Sequence, residues 1–454
     1  MKKLIFPILI IFLCIFSFML ISCDGQDDTT SFNSFEYSIT YELNGGTNSA
    51  ENPSGYNKGD KIILDAPQKE GYMFTGWYTE EDILIEINED TAGDLTLYAT
   101  WRDIESSLLF KLNYLGDSYI VIGCAKSLEY MYIPSTYKGL PVTVIGSFAF
   151  MYHKNLKYVY IPDGVTSIWS SAFFSCESLE GVRIPNSVTE IDTRAFSKCK
   201  KLKSIDLPDN LTVIGSYLFY YSGITSIDIP DGVTEIRKNA FSDCKSLTNI
   251  KLPESLITLG YDVFLNCTAL EEIVIPSSVT NIDKSIFRGC TSLKNITVED
   301  GNTVYKSVDG VLYTKDGKTL VAYPGGNGEE TFTVPNGTEN IEVGAFAYNP
   351  SLKSVVIPGS VKNFGWRMFN DCTSLESVII EDGVTAIETT PFYNCDSLKS
   401  VVVPDSVTTI TEEMLEGCPL LTVHCKSEQK PEGWDENWSS GTKKVVWGYK
   451  EDNR

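Results

Sequence analysis

The chain has 454 residues, with 60 acidic against 37 basic side chains, two histidines, twelve cysteines and a formal charge of −23. Hydrophobic residues at 43% suffice for a packed core, so wholesale disorder is excluded. The acidic balance argues against nucleic acid and against docking on anionic lipid by net charge. Two histidines leave little room for His-based catalysis or a multi-His metal site. The length suits two or three domains, or one elongated array.

Lys2 and Lys3 precede an almost unbroken apolar run from Leu4 to Ile21. The run is long enough to span a bilayer, so a retained N-terminal anchor is one reading. It ends, however, in Leu20-Ile21-Ser22-Cys23 and drops at once into Asp24-Gly25-Gln26-Asp27-Asp28. A small residue before a cut is what signal processing requires. The tetrad resembles the bacterial lipobox. That resemblance implies a signal peptide over residues 1–22, lipidation of Cys23, and a membrane anchor on the extracellular face of a bacterial membrane. Residues 23–36 read as a flexible polar tether.

Residues 37–102 change to short alternating segments. Ser38-Ile39-Thr40-Tyr41-Glu42-Leu43 alternates at period two, and Asn44-Gly45-Gly46 is a turn signal for a hairpin. Gly71 to Tyr78 and Leu95 to Trp101 follow, rich in large aromatics that a core this small needs for burial. Trp77 and Tyr78 are expected in the core, with an exposed ligand platform as the alternative. The YELNGG, GYMFTGWYT and LTLYATW segments resemble the Listeria–Bacteroides (internalin B-type) repeat. The resemblance implies a β-grasp-like spacer of bacterial surface proteins.

An array follows over residues 103–425. Phe150, Phe173, Phe196, Phe219, Phe241, Phe264, Phe287, Phe346, Phe369, Phe392 and Leu415 recur at gaps of 23, with one gap of 22 and one of 59. One unit reads Leu179-x-x-Val182-x-Ile184-Pro185-x-x-Val188-x-x-Ile191-x-x-x-x-Phe196-x-x-Cys199. Its first six positions match the strand segment of a leucine-rich repeat. Alternation turns Val182 and Ile184 inward and Arg183 outward, and Pro185 ends the strand. No unit buries its own face, so the units must stack, at about 4.8 Å per coil, into one mainly-β solenoid about 50 Å long. The repeated grammar resembles the BspA-type leucine-rich repeats of surface proteins. The long gap holds an inserted hairpin near 299–335, and residues 426–454, with Trp434, Trp438 and Trp447, read as a terminal cap.

Seven cysteines occupy one repeat position, from Cys176 to Cys395, and Cys418 continues the column. A linear ladder cannot surround a tetrahedral zinc, so no metal or other cofactor is expected. Parallel side chains suit burial as small hydrophobes better than bridging, although disulfides between coils remain the alternative. Cys124 and Cys425 stay undecided. His153 replaces a column cysteine and reads as structural. With no HExxH, GxSxG, GxxxxGK[ST] or CxxC spacing anywhere, the chain is not expected to be an enzyme.

Outward strand positions are the candidate ligand-binding residues. Tyr130, Tyr132, Tyr158 and Tyr160 are expected to form a block of four exposed tyrosines, with Arg183 on the next strand. Val356, Ile379 and Val402 form an outward aliphatic strip. Tyrosine is enriched in hot spots and exposed apolar strips often mark interfaces, while strand propensity favours the same residue types without any ligand. The expected function is non-catalytic recognition of a host or bacterial surface protein, an adhesin by resemblance. The alternatives are glycan binding through the tyrosines and a structural stalk without a ligand.

Overall fold

The computed structural model describes residues 35–84, 86–387, 390–411, 417–439 and 444–450. Cys23, the leader and Leu415 lie outside the described residues.

The N-terminal module is a five-stranded sheet in the order Gly55–Tyr56, Tyr37–Glu42, Leu95–Asp103, Tyr72–Tyr78, Ile83–Leu84. The central pair, Tyr37–Glu42 with Leu95–Asp103, is parallel and the outer pairs are antiparallel. Trp77 is buried with Ile39, Tyr56, Phe74, Ile87 and Leu97, which makes it core, and Tyr78 is half-buried. The turn at Asn44 and Gly45 forms, with φ of 49° and 86°, but it does not close a hairpin. Thr47 bridges Gln68 instead, and the Trp101 indole N–H donates to the Leu43 carbonyl at 3.0 Å. The turn thus makes room for Trp101. A Cβ on Gly46 would lie 2.4 Å from that ring.

Asp103 ends the module and caps the short helix Ile104–Ser107, accepting from the Ser106 N–H at 2.9 Å. The chain then enters the solenoid at Leu108–Leu112. Ile104 and Met73 both belong to the solenoid's own hydrophobic core, so the module is welded to the array.

A typical coil is stitched to its neighbours on three sides. On the strand face, Tyr130–Tyr132, Tyr158–Tyr160 and Gly181–Arg183 pair parallel and in register. Val188 N–H closes the turn after the strand on the Pro185 carbonyl at 3.0 Å. Two-residue strands such as Ser167–Ile168 and Glu190–Ile191 form the second ladder.

The third side carries the phenylalanines. The N–H groups of Phe148, Phe150 and Tyr152 reach the carbonyls of Ser170, Ala172 and Phe174 on the next coil at 3.1, 2.8 and 2.9 Å. The alternate N–H groups of Ala149, Met151 and His153 close local turns on Gly146, Phe148 and Phe150. This alternation requires left-handed residues two before and two after each phenylalanine. Ser171 and Ser175 (φ 57° and 58°) and Arg194 and Lys198 (59° and 62°) show it. The left-handed region costs an L-residue about 1–2 kcal/mol, offset by the coil-to-coil hydrogen bonds it makes possible. Inside, the rings stack: Phe173–Phe196 at 5.2 Å, Phe241–Phe264 at 5.9 Å and Phe369–Phe392 at 5.5 Å. Such spacing suits offset aromatic pairs.

The array runs to about fourteen turns, more than the eleven phenylalanine-column positions, because other segments also supply rungs. One is the insertion. Tyr305–Val308 and Val311–Thr314 form a hairpin, and Thr319–Ala322 pairs with its second strand and also parallel to Asn340–Ile341. Tyr323 stands in for a phenylalanine, 5.2 Å from Phe346. Even so, the hydrophobic core divides here into two clusters. A second irregularity accompanies the short unit between Phe219 and Phe241, beginning on the coil before it. Lys203 to Leu207 form no strand, and Gly223 is pressed against the Lys200 carbonyl.

At the far end, Lys444–Val446 pairs with Thr422–Cys425. Trp434 donates to the Val407 carbonyl at 3.0 Å and meets Trp438 at 4.6 Å and Trp447 at 5.8 Å. These rings cover the last coil's core.

Candidate functional site

The tyrosine block is assembled by strand register. Tyr130 faces Tyr158 and Tyr132 faces Tyr160. The rings stack in pairs at 5.8 and 5.5 Å. Their expected exposure is not what the structure shows. All four are half-buried, because the N-terminal module sits on the same face. Phe74 meets Tyr132 edge-on at 4.5 Å, and the Tyr160 hydroxyl donates to Asp65 Oδ1 at 3.1 Å. Arg183 stands 3.9 Å from that same oxygen with its guanidinium 4.5 Å over the Tyr160 ring. Burial pushes the Tyr160 phenol up to about 12, and raises Tyr132 further. Tyr132, Tyr160 and Arg183 therefore hold the module, while Tyr130 and Tyr158 lie at the margin of that contact. Alternation fixed their outward direction, but a second domain occupies the space they point into.

The C-terminal strip is also assembled in register, Val356 beside Ile379 beside Val402, and it continues to His424 and Val446. Val356 and Ile379 are half-buried, but Val402 is only 5% exposed, so the strip is shorter at the surface than the alternation implies. Burial and the nearby Lys444 lower the His424 pKa. Its ring lies 4.6 Å from Tyr449. The row beside the strip carries Ser354, Ser377, Ser400 and Thr422. At its edge, Glu330, Lys353, Glu376 and Lys399 alternate in sign, with Lys353–Glu330 and Lys399–Glu376 pairs at 2.6 and 2.8 Å.

Between these ends the strand face is open. Asp206, Asp228, Lys251, Val274 and Thr297 project from successive rungs and are exposed, Val274 by 48%.

No disulfide joins any two of the ten described cysteines. The column thiols are not inert filler. Cys176 donates to the Phe150 carbonyl at 3.1 Å, Cys199 to Phe173 at 3.2 Å and Cys267 to Phe241 at 3.1 Å, and Cys244, Cys290, Cys372 and Cys395 repeat the bond. Burial pushes the Cys176 thiol up to about 12. His153, in the same column, bonds the Ala125 carbonyl through Nε2 at 2.9 Å. Among the described residues no three His, Cys, Asp or Glu side chains converge as a metal ion would need, and no helix is long and apolar enough to cross a membrane.

A parallel solenoid with a phenylalanine column, a thiol column and one outward strand face is a leucine-rich repeat protein. The BspA type leucine rich repeat region matches in six copies over residues 123–247, 212–308 and 326–431, and the chain belongs to that family. The Listeria-Bacteroides repeat domain matches residues 37–100. A leucine rich cell surface protein of Faecalibacterium prausnitzii is similar, with 27% identity, a TM-score of 0.59 and coverage of 77% of this chain and 95% of that one. A leucine-rich repeat protein of Bacteroides ovatus shows 26% identity, a TM-score of 0.54 and coverage of 75% and 89%. A protein of Evansella cellulosilytica described as a Gly-rich membrane protein is 38% identical over 82 residues, which is 17% of this chain and 9% of that protein. The chain spans about a tenth of the length of the curated relatives it matches. Family and fold associate it with bacterial cell surfaces and with surface recognition.

Proposed function

We propose that the chain is a non-catalytic adhesin, lipid-anchored at Cys23 on the bacterial surface, that binds a protein partner through the strand face. The supporting observation is the open middle of that face, where Asp206, Asp228, Lys251, Val274 and Thr297 project from rungs that the stacked core holds rigid. A rigid array presents many contacts without ordering cost, and affinity concentrates in a few anchors such as the exposed Val274. Val356 and Ile379 extend the surface beyond the insertion. The tyrosines are weaker candidates for stacking on a sugar, since two of the four are engaged by the module.

The test is capture of extracellular matrix proteins and bacterial surface proteins, immobilised one at a time, by the chain and by Val274→Asp combined with Lys251→Glu. Retention of one protein that falls at least about tenfold in the variant supports the reading. Equal retention by both chains, or none by either, overturns it. The anchor is tested apart: Cys23→Ser releases the protein from membranes or leaves it unprocessed, whereas unaltered anchorage contradicts lipidation.

A further inference from the structure

The turn side of the first five coils differs chemically from the rest of the molecule. Residues 146–156, 169–179, 192–202, 215–224 and 237–247 carry eight lysines or arginines and only three carboxylates, in a chain whose net charge is −23. The left-handed backbone positions beside the phenylalanine column turn large rings outward: Phe148 is 58% and Tyr152 52% exposed. Trp169 on the next coil and Tyr221 three coils along are exposed as well. Cations lie against rings of the same surface. Arg194 sits 4.6 Å over Tyr217, Lys198 5.3 Å over Phe174 and Lys245 5.8 Å over Tyr221. Glu177, Glu180 and Glu235 pair with three cations of the patch, Lys200, Lys201 and Arg237, at 3.2, 3.3 and 3.1 Å, which leaves Lys154, Arg194, Lys198, Lys238 and Lys245 outside those pairs.

We propose that this edge binds an acidic polysaccharide, a linear polymer of carboxylated or sulfated sugars. The apolar face of a sugar ring stacks on an aromatic face, and its acid group pairs with the adjacent cation. Rungs repeat at about 4.8 Å, so rings and cations recur along the coil axis in the way a polymer of repeating units requires. Charge complementarity selects the ligand: a basic patch on a strongly acidic protein attracts polyanions locally while the rest of the surface repels them. An anionic bilayer fits less well. Three of the rings carry a cation on one face, and the two exposed tyrosines, Tyr152 and Tyr221, carry polar hydroxyls, so insertion into lipid would drag charge or hydroxyl with it. The edge is distinct from the strand face, so this site stands or falls independently of the adhesin reading.

The test uses residues 24–454, without leader and lipid, on immobilised heparin, polygalacturonate and neutral dextran, and with vesicles of phosphatidylcholine containing phosphatidylserine. The expected result is retention on at least one acidic polymer, none on dextran, and loss as salt rises. Arg194→Glu with Lys198→Glu weakens binding at least about tenfold, and Lys245→Glu weakens it in the same direction, with melting temperatures near that of the parent. Lys430→Glu, which reverses an exposed cation at the C-terminal end of the array, leaves it unchanged. Retention that ignores the charge reversals, binding to vesicles but not to polysaccharide, or no retention on either polymer overturns the proposal.

Discussion

The Tyr160 hydroxyl and the Asp65 carboxylate, 95 residues apart, meet at 3.1 Å and tie the N-terminal module to the second strand of the solenoid face. Arg183 approaches the same carboxylate, so three residues from two domains share one oxygen. Together with Phe74 against Tyr132, this contact turns a sequence-level spacer into a fixed brace over the first coils.

That joint is measurable. In a double-mutant cycle, Asp65→Ala and Tyr160→Phe couple by about 0.5–1.5 kcal/mol in denaturant unfolding. Phe74→Ala costs about 3–5 kcal/mol, since it empties the module's core as well as the contact with Tyr132. Strict additivity of the first pair would mean that the module does not rest on the strand face in solution.

The thiol column makes stability fall at alkaline pH. An unfolded thiol ionises near 9.0, while burial holds the folded Cys176 and Cys290 thiols protonated up to about 12. Above pH 9 the unfolded state therefore binds fewer protons than the folded one, and the free energy of unfolding declines. Each buried thiol contributes up to about 1.4 kcal/mol per pH unit. Replacing Cys199, Cys267 and Cys290 by alanine flattens the decline between pH 9 and 11, read by urea unfolding at each pH. An unchanged slope would place the losses on tyrosines and lysines instead.

Gly223→Ala tests the short coil. The new Cβ would lie 2.1 Å from the Lys200 carbonyl, which is backbone and cannot swing away. Overpacking of this kind costs about 2–3 kcal/mol. Urea midpoints compared with Ser216→Ala, a half-buried position on the same coil, give the measurement.

Trp434→Ala opens the C-terminal cap. It removes the indole bond to the Val407 carbonyl and the contact with Trp438, at a cost of about 3–5 kcal/mol. In a stacked array each rung leans on its neighbours, so the damage stays local. Hydrogen exchange should accelerate over Thr422–Cys425 while Tyr158–Tyr160 keeps its protection.

Much of the architecture was legible in the period. Val182, Ile184, Val188, Ile191 and Phe196 are all buried, because an apolar stripe recurring at a fixed interval leaves the chain one way to hide it. The left-handed pairs beside each phenylalanine were less legible. Some carry Asn or Asp, which tolerate that region, but Phe148, Tyr152, Ser171 and Tyr217 give no such signal. The hairpin expected at Asn44 failed because a turn signal specifies a bend and not the strand that receives the chain. The thiol bonds were missed because a cysteine in an apolar column looks like filler until the carbonyl of the preceding coil is seen beside it.

By itself the sequence determined the coil, its inward stripe, its rung register and the direction in which Tyr132, Tyr160 and Val402 leave the sheet. Local periodicity encodes these, since they depend on contacts between adjacent coils. Only the tertiary structure decided which outward side chains meet water. That depends on where a separate module and a cap come to rest, through single contacts such as Asp65 with Tyr160 that leave no period in the chain.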